Sequence, residues 1–262
     1  MKSYKTDIYR KLSMYGFEAV NNGHNIFALL EFDITSLRGR LREKRKAGGG
    51  GSLFVFMLKA IALCMKDFPQ FNAMIGRRMT TEFESVDISV PVEMYRDGKY
   101  QNKQYIVRDA NGKSMAEIEQ EINDARKPSG DEMGYVFSKT VQRILDILPG
   151  RLVVAIIRGI LRNHKKVMQS SGSLFVTSVS MFSTLPGYII PYIGGPKACS
   201  FAIGSTLKKP AVIKDRVEIR EMINITAVFN HDIIDGAPAA RFINRLREII
   251  EKEYDKIIMN DE

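Results

Sequence analysis

Strand-like and helix-like hydrophobic patterns succeed one another along this chain without the regular alternation that a doubly wound parallel sheet requires. Residues 25–37, NIFALLEFDITSL, are rich in strand formers and close on Asp33-Ile34-Thr35, a turn into the helical pattern SLRGRLREKRK. The run LFVFMLKAIALCMKDFP is apolar on all sides and predicts a buried helix that stops before Pro69. SVDISVPVEM at 85–94 alternates and predicts a half-buried strand. KSMAEIEQEINDARK at 113–127 has Ser114 three residues before Glu117, the spacing of a capping box on an amphipathic helix. From residue 172 four strand patterns follow, GSLFVTSVSMF, KACSFAIGSTLKK, PAVIKDRVEIR and MINITAVFN, and a last helix is expected from about Ala237 to Tyr254. The expected class is α+β, a mixed sheet with helices packed on it. No internal repeat or low-complexity linker divides residues 1–262, so a single domain is expected.

A chain of 262 residues buries a full core without disulfides or zinc, and 45% hydrophobic with 26% charged residues is a globular balance. Cys64 and Cys199 stand apart from any metal-ligand spacing, which predicts buried thiols in a reducing, cytoplasmic setting and no metal site. MKSYKTDIYRK has no apolar signal region. The net charge of +9 is densest in RGRLREKRKAGGGGS at 38–52, which lacks the interleaved aromatics of a base-stacking surface, so nucleic acid is not expected. A phosphate-rich ligand such as coenzyme A suits this balance, although composition assigns it to no particular lysine.

One short stretch concentrates the chemistry. In FNHDIIDGAPAARFINRLREII, residues 229–250, His231 and Asp235 lie four apart at the mouth of an amphipathic helix. At a strand end His231 can present an imidazole to a cleft, Asp235 can fix local geometry, and Gly236 is expected to supply backbone freedom for the bend. An ordinary strand-to-helix turn with a capping aspartate would look the same from these residues alone.

The motif NHDIIDG resembles the histidine, three residues, aspartate, glycine signature shared by chloramphenicol acetyltransferases and the catalytic domains of 2-oxo acid dehydrogenase acyltransferases. APAARFINRLREII is similar to the helix that follows it there. LEFDITSL, LKAIALCMKDFPQFNAMI, VDISVPVE, GKSMAEIEQEI, GSLFVTSVSMF and KKPAVIKDRVEIREMINITAVFN match the acyltransferase pattern in the same order, over residues 25–125 and 170–254. The resemblance implies a chloramphenicol acetyltransferase-like two-layer sandwich assembled as a homotrimer, a unit from which a larger shell can be built. It implies transfer of an acyl group between coenzyme A and a thiol such as dihydrolipoyl, or another small acceptor. His231 would be the general base, and a hydroxyl from the neighbouring subunit would donate to the oxyanion. The ungapped match puts that hydroxyl on Thr177, with Ser178 as the neighbouring alternative. Asp235 corresponds to an aspartate that holds the family's site through a salt bridge to an arginine; Arg10 is the candidate here.

Three departures bear on this expectation. Asn230 and Asp232 flank His231 where the dehydrogenase components usually carry aspartate and arginine, which bears on acceptor recognition. No lipoyl or subunit-binding domain precedes residue 25, so a lipoylated partner would be a separate protein. Finally, residues 134–166 occupy a position where the family has a shorter connection. This segment carries apolar helical patterns at Val141–Leu148 and Leu152–Leu161, separated by Pro149-Gly150; each is too short to span a bilayer. A helical hairpin against the core or another subunit is the favoured reading, ahead of an interfacial membrane contact or a lid over a lipophilic acyl chain. His164, in its basic tail, is expected in solvent. The second functional class is a non-catalytic trimeric scaffold of a multienzyme complex; a drug-modifying acetyltransferase is the lesser catalytic alternative.

Overall fold

The computed structural model describes residues 6, 8–20, 23–76, 78–96, 99–127, 139–180, 186–192 and 195–259. Residues 134–138 of the expected insertion, Met181 and Phe182 of the GSLFVTSVSMF pattern, and most of the extreme N-terminus lie outside these described residues. Helix α1 spans Ile8–Ala19, followed by β1 (Asn25–Asp33), α2 (Thr35–Lys46) and α3 (Leu53–Asp67). A 3-10 turn at Pro69–Phe71 leads to β2 (Ala73–Ile75) and β3 (Thr80–Glu82), then β4 (Ile88–Arg96), β5 (Lys99–Val107) and α4 (Met115–Arg126). Three helices follow, α5 (Lys139–Ile147), α6 (Gly150–Leu161) and α7 (His164–Ser171). The chain ends with β6 (Leu174–Ser178), β7 (Cys199–Ile213), β8 (Arg216–Asn230), α8 (Gly236–Glu251) and α9 (Tyr254–Met259).

Six strands form one mixed sheet in the order β1-β8-β7-β6-β4-β5, with β6 parallel to both its neighbours and the other pairs antiparallel. The α+β expectation holds, and the reason is local. Helix α3 starts at Ser52, whose hydroxyl accepts from the Val55 amide, and nine of its fifteen residues are buried. The capping box on α4 forms as the spacing predicts: Glu117 N donates to Ser114 Oγ at 3.2 Å and Ser114 N to Glu117 Oε2 at 2.8 Å. At the turn into α2, Asp33 Oδ1 accepts from the Thr35 amide and hydroxyl, while Oδ2 accepts from Arg220 Nε at 2.6 Å. Burial works against the Asp33 carboxylate, but Thr35 and Arg220 together hold it below the usual carboxylate range.

Strand parity divides the sheet into two faces. Ile223, Ile225, Ala227 and Phe229 of β8 join Phe201 of β7 and Val176 of β6 in a buried core beneath α3, α4 and α8. At its centre Phe242 of α8 stacks on Phe71 with ring centroids 4.3 Å apart. On the opposite face Phe27 and Leu29 of β1 are each 51% exposed.

Several expectations need correction. The four late strand patterns are fewer elements: β7 runs unbroken through Pro210 and β8 through Met222, joined at Lys214 and Asp215, both with positive φ. Pro210 is tolerated because β6 pairs with β7 only as far as Ile203, leaving an edge beyond it. The last helix stops at Glu251 and a separate α9 begins at Tyr254. Helices α5 and α6 match the two apolar patterns, but they build a second cluster with α1, in which Val153, Val154 and Ile157 meet Ala19, Leu12 and Tyr15. A Cβ on Gly150 would lie 2.8 Å from the Tyr15 ring, so α1 and α6 meet closely only with glycine there. His164 is not simply solvated: its Nδ1 lies 2.8 Å from Thr81 Oγ1, tying α7 to β3.

Lys197 is 3% exposed and its Nζ donates to the Ser171 carbonyl at the end of α7 at 2.5 Å. Burial pushes its pKa from the ordinary 10.5 down to about 7. The unfolded chain therefore binds the proton more tightly, and stability should rise with pH between about 7 and 10.5. In Lys197→Met the rise, up to about 1.4 kcal/mol per pH unit, should flatten, and the neutral-pH urea midpoint should increase. An unchanged slope would mean that the lysine keeps its charge in the folded state.

Candidate active site

The end of β8 positions His231. Asn230 is buried; its amide donates to the Ala198 carbonyl at 2.8 Å, and its own carbonyl accepts from the amides of Ile233 and Ile234. The Asn230 side-chain oxygen accepts from the Asp232 amide at 3.0 Å, closing a local turn. The His231 amide donates to the His24 carbonyl, and His24 Nδ1 lies 2.9 Å from Asp232 Oδ1. Ile234 is 1% exposed and pins the far side of the loop. With the backbone held on both sides, the imidazole projects from the turn with 48% of its side chain exposed. The unusual residues around His231 thus have structural work: Asn230 forms the turn and Asp232 joins it to His24.

Asp235 is the N-cap residue of α8, yet its carboxylate makes no cap hydrogen bond. Its Oδ1 sits 3.5 Å from His231 Nδ1, an ion-pair distance, and 83% of the side chain is exposed. Among the described residues the side chain that Asp235 meets is the histidine and not an arginine; Arg10 belongs to α1, which packs on α6. Gly236 does not need glycine's backbone freedom, because its φ is not positive and a Cβ there would meet nothing within 4 Å.

Thr177 lies on the second face of the sheet, alternating with the core residues Leu174 and Val176. Among the described residues its hydroxyl has no hydrogen-bond partner, whereas Ser178 Oγ is engaged with Ser180 Oγ at 2.8 Å. That contrast favours Thr177 as the available donor. The sheet register sets Thr177 beside Ala202, and Ala202 beside Thr226, four residues before Asn230. Two strand spacings and that run along β8 separate Thr177 from His231 by roughly 15 Å or more. One chain therefore does not bring the hydroxyl and the imidazole to a common atom.

Sequence reasoning missed a feature beside Thr177. Asn25 Oδ1, Ser200 Oγ, Asn224 Oδ1 and Thr226 Oγ1 are buried without a hydrogen-bond partner among the described residues, and strand parity places all four on the Thr177 face. The available signal was polar residues alternating with isoleucine in MINITAVFN. Groups that could hold a metal ion are absent among the described residues.

Comparison with known proteins gives a consistent result. The profile of the 2-oxoacid dehydrogenases acyltransferase (catalytic domain) family matches residues 29–129 and 160–259. The dihydrolipoyllysine-residue succinyltransferase component of the 2-oxoglutarate dehydrogenase complex of Staphylococcus aureus is 30% identical over 250 residues, 92% of this chain and 50% of that protein. This chain spans about half the length of the relatives it matches. Among solved structures, it resembles Azotobacter vinelandii dihydrolipoamide acetyltransferase, in which a serine, a histidine and an asparagine were investigated for their catalytic role. The TM-score is 0.70 at 17% identity, covering 98% of this chain and 94% of that one. Chloramphenicol acetyltransferase aligns with a TM-score of 0.51 at 14% identity over 94% and 96% of the two chains. These two likenesses concern the fold, and they bear out the two-layer architecture expected from the sequence.

Proposed function

The chain belongs to the 2-oxoacid dehydrogenases acyltransferase (catalytic domain) family, and from that premise we propose that it transfers an acyl group between coenzyme A and a small thiol, with a dihydrolipoyl group as the preferred acceptor. The observation that carries this reading is His231, held by its backbone at the end of β8 with its ring free and Asp235 beside Nδ1. In the direction from coenzyme A, Nε2 takes the proton of the acceptor thiol, and the thiolate attacks the thioester carbonyl. The tetrahedral oxyanion accepts a hydrogen bond from Thr177 of a neighbouring copy. Collapse expels the coenzyme A sulfur, which recovers the proton from the imidazolium.

The assembly we propose is a homotrimer with the active site shared between copies. The in-chain separation of Thr177 from His231 and the unpartnered polar atoms on the Thr177 face support it. Residues 1–262 form one catalytic domain in this reading, with 134–166 inserted in it; the family profile leaves 130–159 unmatched. A lipoylated protein domain would supply the acceptor, and larger assemblies built from trimers fit the same scheme.

The direct test incubates purified protein with a panel of acyl-coenzyme A thioesters and dihydrolipoamide, and measures free coenzyme A and S-acyl product chromatographically. Formation of both in equal amounts is expected. No turnover with any donor would leave the trimeric scaffold as the function. The shared site has its own test. His231→Ala and Thr177→Ala chains, mixed equally and refolded together, should recover about a quarter of wild-type activity, because each site needs an intact histidine from one copy and an intact hydroxyl from the next. Recovery no greater than the sum of the separate variants, after verified subunit exchange, would place the site within one chain.

A further inference from the structure

Helices α5, α6 and α7 carry a strong positive charge imbalance. Residues 139–171 hold seven lysines and arginines against one acid, Asp146, so this segment supplies six of the net nine positive charges. Asp146 is already paired with Lys11 of α1 at 2.7 Å. The same helices leave large aliphatic side chains in solvent. On α5, Leu145 is buried against α1 and α6, while Val141, Ile144 and Ile147 are exposed, Ile147 by 84%. On α6, Val153, Val154 and Ile157 are buried. Helical spacing arranges its remaining surface in two rows, an apolar one with Leu152 and Ile156 and a basic one with Arg151, Arg158 and Arg162.

We infer that the α1–α5–α6 unit docks on an anionic lipid surface, with α5 and α6 lying in the interface and their cations among the headgroups. An apolar row bordered by arginines is the pattern of a helix that lies in a membrane interface. No helix among the described residues is long and apolar enough to cross a membrane, so the contact is peripheral. The unit is also fixed to the body of the protein: Phe17 of α1 packs edge-on against Tyr192 at 4.9 Å, and the Tyr192 hydroxyl donates to the Phe17 carbonyl. Docking would therefore hold the whole domain at the surface.

The test is co-sedimentation of the full chain with phosphatidylcholine vesicles, with and without phosphatidylglycerol. Binding should be about tenfold or more tighter with the anionic lipid and should be lost in high salt. Ile144→Ser/Ile147→Ser and Arg151→Glu/Arg162→Glu alter exposed side chains, so both double variants should keep the wild-type thermal transition. Each should weaken vesicle binding by about tenfold or more. Failure of the wild type to bind phosphatidylglycerol vesicles overturns the inference. Wild-type binding by the isoleucine variant would overturn it in favour of a site for any polyanion. If that variant instead dissociates the oligomer and leaves vesicle binding unchanged, the aliphatic rows belong to a subunit interface. Acyl transfer to soluble dihydrolipoamide is measured separately, so either proposal can fail alone.

Discussion

His231→Ala should lower acyl transfer by a factor on the order of 10² to 10⁴, the range typical of a general base, while leaving the protein folded. The structural part of position 231 is its backbone amide, which donates to the His24 carbonyl and survives the substitution. The ring is half exposed, and among the described residues the carboxylate beside it is Asp235, itself mostly in solvent. Little stability should therefore be lost, and the thermal transition should match that of the wild type. A folded variant with near wild-type turnover would remove the base from the scheme. Replacing Asp235 with asparagine keeps the shape beside Nδ1 and removes the charge. A smaller loss is expected there, because at 3.5 Å in solvent the carboxylate orients the ring more than it stabilises its charge.

Phe242→Ala should cause the largest loss of stability, about 3–5 kcal/mol, the range for deleting a buried aromatic side chain. Phe242 is fully buried and lies within 4.3–6.1 Å, centroid to centroid, of Phe71, Phe201, Phe68 and Phe229. These rings come from the 3-10 turn and its approach, β7 and β8, so one deletion loosens the packing of α8 on the sheet. At equal protein concentration the thermal midpoint should fall by on the order of 10 °C. Phe242→Leu keeps most of the volume and should cost appreciably less. Equal effects of the two substitutions would mean that the surrounding rings relax into the space.

The sequence was most informative where one side chain or one local period decides the outcome. Ser114 and Glu117 announced the start of α4, and the all-round apolar run at 53–67 announced a buried helix. It was least informative where distant partners decide. Helix α1 has few strong local signals and is held by Tyr15 against Gly150 and by Leu12 in the cluster with α6. Pro210 suggested a strand break, but an unpaired edge on its other side allowed β7 to continue. In the site, His231 stood out as one of three histidines, and its neighbour Asp235 was legible from the spacing. The hydroxyl was legible only through family resemblance, since Thr177 is distant from the histidine in the chain's own fold. Gly236 invited a backbone argument that its ordinary φ does not support.

The register of β1 against β8 pairs Asn25 with Asn230 and Asp33 with Met222, so the sheet joins segments separated by roughly 190 residues. Such long-range pairing pays most of its loop-closure entropy simply because the loop is long, and it should make folding slow. The cost grows only logarithmically, however. The inserted helices lie inside the segment closed by the Ile88–Leu174 pairing of β4 with β6, and lengthening such a segment from about 55 to about 85 residues adds only about 0.4 kcal/mol. The connection between these strands can therefore acquire whole helices at almost no entropic cost to the sheet that holds His231. In this fold, a new surface can evolve inside the longest loop while the geometry at the end of β8 remains unchanged.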